Sequence, residues 1–220
     1  MNVVRPFGEA AFLVDVADAR AAQGLAAALR GDPPAGVTAV VPGRRSVLVE
    51  VDGLLGEVDA VAEALARAEV GATPGEGRAR TIPVLYGGDA GPDLSDVARL
   101  AGLTPDAAVE LHAATELTVL FGGFAPGFAY LGEVAAPLHV GRLATPRTTT
   151  PAGSVALADG MSGIYPAALP GGWRVIGRTP LTLFDPHRSP PAYLVPGDRV
   201  RFVPIGPDDW DGHAGVASDW

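Results

Sequence analysis

Apolar and polar positions alternate with period two over residues 10–16 (AAFLVDV), which predicts a strand. The spacing then becomes helical in ADARAAQGLAAALR, where Leu25, Ala26 and Leu29 share a face behind Asp18 as N-cap. VTAVVPGRRSVLVEV alternates on both sides of Pro42-Gly43, a hairpin signal. GEVDAVAEALARAEV places Val58, Val61, Leu65 and Ala68 on one helical face, and RARTIPVLY supplies a further strand. The order strand, helix, strand, strand, helix, strand predicts a small N-terminal α/β sandwich over residues 1–84, interrupted by a flexible GATPGEGRAR segment.

Two short helices are expected next. One starts after Asp93 and the other runs from Thr104 to Ala114, where LTPDAAVEL offers a threonine cap, proline in the first turn and acids beside the positive helix end. Beyond residue 116 short apolar runs (LTVLFGGF, SVALA, WRVIG, LTLFD, RVRFVPI) are separated by Gly/Pro clusters. That pattern predicts an antiparallel barrel or sandwich with long ordered loops, filling residues 85–207 together with the two helices. The fold class is therefore α+β, with DDWDGHAGVASDW (208–220) expected as a frayed acidic tail.

Composition narrows the chemistry. At 220 residues the chain has room for two domains with cores of their own. No uninterrupted apolar run reaches the roughly 18 residues of a membrane-spanning helix, and the opening residues lack the basic-then-apolar order of a signal peptide, so a cytoplasmic protein is expected, without membrane partners. With no cysteine and four scattered histidines, disulfides, thiol catalysis and a metal site are not expected. All 16 basic residues are arginine, which excludes a P-loop, Schiff-base or biotin-carrying lysine within the chain. The net charge of −9 is uneven: residues 117–184 hold 2 acids against 4 arginines. No basic face for nucleic acid is present, whereas a small anion suits this middle region.

Within it, Gly and Pro recur around aromatic, hydroxyl and arginine side chains in GGFAPGFAYLG, TPRTTTPAGS and GIYPAALPGGWRVIGRTP. Each glycine alone reads as a turn; together they read as loops braced to hold a site. Arg147 and Arg178 each adjoin a proline and are the favoured carboxylate-binding arginines, while Arg142 and Arg174 read equally as functional or as structural residues, solvated or paired with Glu133 and Asp159. His112 is either a helix-end histidine favoured by the dipole or a general base. Taken as catalytic candidates are His112 and Arg147; as substrate contacts Pro126, Gly127, Tyr130, Ser154, Tyr165, Trp173 and Arg178. Ser154 lacks a G-x-S-x-G elbow, which leaves it a hydrogen-bonding role. On the glycine-freed loop Phe124, Phe128 and Tyr130 cannot all be buried, and Phe128 is expected as an exposed interface anchor.

YGGDAGPDLSDVARLAGLTPDAAVELH, GFAPGFAYLG, TPRTTTPAGSVALADGMSGIYP and PGGWRVIGRTPLTLFDP, in this order between Ala10 and Ile205, resemble the family of B-type 5-oxoprolinase subunits, also known as allophanate hydrolase subunit 1 and as KipI-type histidine-kinase inhibitors. The resemblance implies an N-terminal α/β domain joined to a cyclophilin-like barrel. It implies work with a sister subunit of related fold and a LamB/YcsF-type subunit, in ATP-dependent opening of 5-oxoproline to glutamate. ATP would enter at the level of the assembly, and the substrate class is a small anionic lactam or amide. The same resemblance implies two other roles, a module that docks on a sensor histidine kinase or a urea- or allophanate-metabolising subunit. Two departures stand out: Met161 and Ser162 occupy the family's Gln-Thr pair, and GFAYLG lacks one proline of GFPYLG. The thioether deletes a donor and an acceptor, whereas Ser162 keeps the hydroxyl.

Overall fold

The computed structural model describes residues 2–52, 58–69 and 77–220, and the chain divides into two units between Gly75 and Glu76. In the first, strands β1 (Val3–Pro6), β2 (Ala11–Asp15), β3 (Val37–Pro42) and β4 (Ser46–Val51) form an antiparallel sheet in the order β1-β2-β4-β3. Helices α1 (Ala19–Gly31) and α2 (Val58–Arg67) supply the rest of its core. Alternation puts Phe12, Val14, Val47, Val49 and Val51 inward, against Leu25 and Leu29 of α1 and Val61 and Leu65 of α2. Each such side chain contributes roughly 1.5–3 kcal/mol on burial. The Asp18 carboxylate caps α1 by accepting from the Ala21 N–H at 2.8 Å. Val58, expected on the buried face of α2, is exposed. Strand β1 is absent from the predicted elements: VVRP is short, mostly exposed and only an edge. The expected flexible segment lies mostly outside the described residues.

The second unit is built on β5 (Ala79–Tyr86), β6 (Leu117–Gly122), β7 (Ala129–Gly132), β8 (Arg147–Thr150), β9 (Ser154–Ala158), β10 (Met161–Ile164), β11 (Leu169–Gly171), β12 (Arg174–Arg178) and β13 (Arg199–Pro204). Seven strands close a barrel in the order β10-β7-β6-β13-β5-β12-β9, and β8 pairs with β11 as a separate ribbon. Two corrections follow. RARTIPVLY belongs to the barrel rather than to the N-terminal sheet, so the boundary lies before residue 79, not after 84. Its apolar run IPVLY suits a strand buried on both faces, and periodicity cannot say which sheet takes it. The barrel is also mixed, because β5 and β13 run parallel from Ala79↔Arg199 to Val84↔Pro204.

Both faces of part of this barrel are buried. Ile82, Leu117, Leu131, Val155, Leu157, Ile164, Ile176 and Phe202 fill the interior. On the outer face, Ala156, Ala158, Met161 and Val175 meet Phe128, Tyr165 and Trp173 in a second layer, with Leu169 of β11 packed against it. Gly163 makes this layer possible, since a Cβ there would lie 3.0 Å from the Phe128 ring and 3.1 Å from that of Trp173.

Helices α3 (Leu94–Ala101) and α4 (Pro105–Ala114) form where the capping signals place them, α4 behind a Thr104 cap that accepts from the Ala107 N–H at 3.2 Å. The tail does not fray. It forms α5 (Trp210–His213), bridges Leu181 through Gly215, and ends with Asp219 bonded to Arg80 and Tyr193 and with the Trp220 indole donating to the Pro190 carbonyl at 3.0 Å. Its aromatic and carboxylate ends have partners on the barrel unit far away in sequence, which an acidic composition does not reveal.

Candidate functional site

The strand registers align Gly122, Ala129, Ile164 and Val155 around one end of the barrel, with Ser154 opposite Arg178 beside them. The loops carrying GFAPGF, PAGS, IYP and GRTP all leave from this end. Gly153 ties them together: its N–H donates to the Tyr165 carbonyl at 2.7 Å and its carbonyl accepts from the Thr179 N–H at 2.9 Å. It has φ +79°, and a Cβ would strike the Thr179 carbonyl oxygen, so no other residue fits this junction without strain. Ser154 accepts at its own carbonyl from the Tyr165 N–H at 2.9 Å.

The loop from 123 to 128 is braced by hydrogen bonds from the Ala125 N–H to the Gly123 carbonyl (2.8 Å) and from the Phe128 N–H to the Ala125 carbonyl (3.0 Å). Gly127, at φ +81°, lies against Leu183 and Phe184. Pro126 and Phe124 face outward, Phe124 with φ +68° and 59% exposed. A bulky side chain in the left-handed region is unusual and places an aromatic ring in solvent beside Tyr165. Phe128, expected as the exposed anchor, is instead 3% exposed and packs edge-on against Tyr165 (5.3 Å) and Trp173 (5.9 Å). The outer barrel face, which the sequence pattern does not distinguish from solvent, accommodates it.

Arg178 stands at the same rim. Its Nε donates to the Ala152 carbonyl at 2.7 Å and its guanidinium lies 5.6 Å from the Trp210 ring. Among the described residues neither Nη of Arg178 donates to a protein acceptor. The rim thus offers a half-buried, oriented guanidinium suited to a carboxylate or a polarised carbonyl.

The structure brings Pro126, Gly127, Ser154, Tyr165 and Arg178 together at this end, with Tyr130 and Trp173 continuing the aromatic layer along the barrel wall. Ser154, Tyr165 and Trp173 are buried, so they support the rim from beneath. Tyr130 is half-buried and stacked on Phe121 at 4.4 Å; burial raises its pKa while Arg142 opposes the shift.

His112 and Arg147 are not brought to that end. His112 sits inside the barrel with no exposure, its Nδ1 2.8 Å from the Tyr86 hydroxyl, its Nε2 3.1 Å from the Ser162 hydroxyl, and its ring stacked on Phe202 at 4.5 Å. Burial lowers its pKa to about 3, so it stays neutral, and the same desolvation raises that of Tyr86. Arg147 donates from Nη2 to the Asp93 carboxylate at 2.7 Å, whose other oxygen accepts from the Val175 N–H at 2.7 Å. Asp93 therefore fastens the start of α3 to β12 and compensates Arg147. Arg142 pairs with Asp159, and Arg174 with Asp96 and the Gly141 carbonyl.

Sequence reasoning missed the roles of Asp93, Tyr86 and Trp210. Ser162 carried a signal, since it keeps a hydroxyl at the position of the family's threonine, and that hydroxyl faces His112. Met161 beside it is buried in the aromatic layer. Among the described residues no group of three or more His, Asp or Glu side chains could hold a metal.

The model of the carboxyltransferase domain, subdomain C and D, matches residues 2–194. The chain is 54% identical over 129 residues to the B-type 5-oxoprolinase subunit of Escherichia coli O157:H7, a segment covering 59% of each protein. The crystal structure of TTHA0988 superposes with a TM-score of 0.78 at 36% identity, covering 93% of this chain and 41% of that one. The Kluyveromyces lactis urea amidolyase shares the fold at a TM-score of 0.78 and 18% identity, covering 96% of this chain and 15% of that enzyme. Matched over nearly its whole length up to residue 194, the chain belongs to the carboxyltransferase subdomain C and D family, in which its relatives include B-type 5-oxoprolinase subunits.

Proposed function

We propose that the chain is the B-type subunit of an ATP-dependent 5-oxoprolinase, acting with a sister subunit of related fold and a LamB/YcsF-type subunit to open 5-oxoproline to glutamate. One observation carries the reading: loops from three of the four motifs that resemble those of B-type 5-oxoprolinase subunits converge on one barrel rim, around Arg178. The substrate has a carboxylate, which the Nη groups of Arg178 would hold, and a lactam carbonyl. Opening a lactam with water needs ATP to drive it: the carbonyl oxygen would be activated by phosphoryl transfer from ATP, a first water would add and the protonated ring nitrogen leave to give an acyl phosphate, and a second water would release phosphate and glutamate. The chain contains no lysine and no phosphate loop, so the nucleotide is expected on a partner or at a shared surface in a cytoplasmic assembly. Here the chain's own contribution is to bind and orient.

The test is reconstitution. The single chain is expected to turn over neither ATP nor 5-oxoproline, while the three-subunit mixture releases ADP and glutamate together. ATP-coupled turnover by the single chain, or none by a well-formed three-subunit complex, would overturn the proposal. In the second case stable capture of a sensor histidine kinase would favour the regulatory role.

A further inference from the structure

A second carboxylate-gripping arrangement is built from residues other than those of the rim. Arg80, on β5, is 2% exposed, and its guanidinium lies 4.4 Å over the ring of Tyr193, itself 1% exposed. The Arg80 Nη1 donates to an Asp219 carboxylate oxygen at 2.8 Å and to the Asp219 main-chain carbonyl at 2.6 Å; the Tyr193 hydroxyl donates to the other carboxylate oxygen at 2.8 Å. A buried arginine and a buried tyrosine thus grip both oxygens of one carboxylate, whose own side chain is 51% exposed.

The buried charge does not require Asp219. Asp198, 1% exposed, lies with Oδ2 3.6 Å from the Arg80 Nε and already neutralises it within the fold. The Asp198 oxygens are taken by the Arg78 and Val195 N–H groups at 2.9 and 3.1 Å. Without the Asp219 carboxylate the cation keeps Asp198 as its counter-charge at 3.6 Å, although its Nε has no hydrogen-bond partner; Nη1 keeps the Asp219 main-chain carbonyl, and the carboxylate's place on Nη1 and on the Tyr193 hydroxyl falls vacant.

Beside this pair opens a cleft of about 550 Å³. Its floor is the outer face of β5 and β13, with Ala79, Pro83, Val203 and Ile205, and its roof is the segment 212–219. The volume falls within the range of small-molecule sites, and the floor is apolar apart from Thr81.

We propose that Arg80 and Tyr193 form a carboxylate-binding site that Asp219 occupies in cis, and that a small organic monocarboxylate with a compact, uncharged body takes the place of Asp219 there. One outward-facing cation with one hydroxyl suits a single carboxylate rather than a phosphate or a polyanion. The site does not depend on the 5-oxoprolinase reading, because none of its residues belongs to the rim.

Sodium acetate is the probe, compared with sodium chloride at equal ionic strength, on the full chain. Asp219→Ala is expected to lower the melting temperature, and acetate to raise it saturably by at least about 3 °C, with a much smaller rise in wild type. Adding Tyr193→Phe should abolish most of the acetate effect. Equal action of acetate and chloride on folded Asp219→Ala, or equal gains in wild type and variant, would overturn the proposal. If Asp219→Ala does not fold, Asp219→Ser keeps a polar side chain at the position while vacating the carboxylate's place between Arg80 and Tyr193; acetate binding by titration calorimetry should then appear in Asp219→Ser and be at least about tenfold weaker in wild type. Absence of binding in Asp219→Ser would likewise overturn it.

Discussion

The barrel interior at α4 and the rim where β6, β9, β10 and β12 turn use polar residues in opposite ways. Inside, Tyr86, His112 and Ser162 satisfy one another away from water, and burial keeps the imidazole neutral. At the rim, glycines and prolines fix the backbone by main-chain hydrogen bonds and leave Arg178 oriented with Nη groups to spare. The difference teaches that a polar residue inside a helical or strand pattern is no guide to chemistry until its access is known. A satisfied buried histidine holds the fold; a partly satisfied guanidinium on a braced loop can hold a ligand.

The largest expected effects break buried packing, in the outer aromatic layer and in the barrel interior. Phe128→Ala should cost about 3–5 kcal/mol of unfolding free energy by chemical denaturation, because it empties the aromatic layer between Tyr165 and Trp173. His112→Ala should cost about 3 kcal/mol, since it opens a void against Phe202 and orphans the Tyr86 and Ser162 hydroxyls. The His112 variant should also change the acid limb. With the folded pKa lowered from 6.5 to about 3, the native state binds fewer protons than the unfolded chain between those values. Stability from this group is complete above pH 6.5 and is lost as pH falls towards 3, by up to ~1.4 kcal/mol per pH unit, a slope that His112→Ala should remove.

Smaller effects sharpen the rim. Arg178→Ala should reduce turnover of the proposed three-subunit assembly at least about tenfold, the equivalent of ~1.4 kcal/mol, while costing under about 1 kcal/mol in stability for the lost Trp210 contact. An unfolding loss with unchanged turnover would reassign Arg178 to the fold. Arg147→Ala should show the reverse balance, destabilising by about 1–2 kcal/mol through the loss of its Asp93 partner. Phe124→Gly is the smallest: relief of the left-handed backbone should leave thermal stability unchanged or raise it by up to about 1 kcal/mol.

Much of the architecture was legible because its causes are local. Asp18 and Thr104 cap the helices that their sequence positions predict, and the alternation around Pro42-Gly43 is a hairpin. The rim was legible for the same reason, since Gly127 and Gly153 occupy backbone conformations that demand glycine. What stayed hidden depends on partners distant in sequence. Nothing near Arg147 announces Asp93, 54 residues away, and nothing in the tail announces that Asp219 reaches Arg80 across 139 residues. The inside and outside of β9 also look alike in SVALA, because all five residues are buried.

The parallel pairing of β5 with β13 has a consequence for synthesis. Arg78 and Asp198, joined at 2.9 Å just before the paired segments, lie 120 residues apart, and every other barrel strand falls between them. Closing so long a loop is entropically slow, and the strand that completes the ring is the last to be made. On the ribosome the four-stranded N-terminal unit can therefore fold while the barrel strands wait with open edges for residues 199–204 to emerge. During that interval the unpaired strand edges are open to pairing with other chains, which is when aggregation competes with closure.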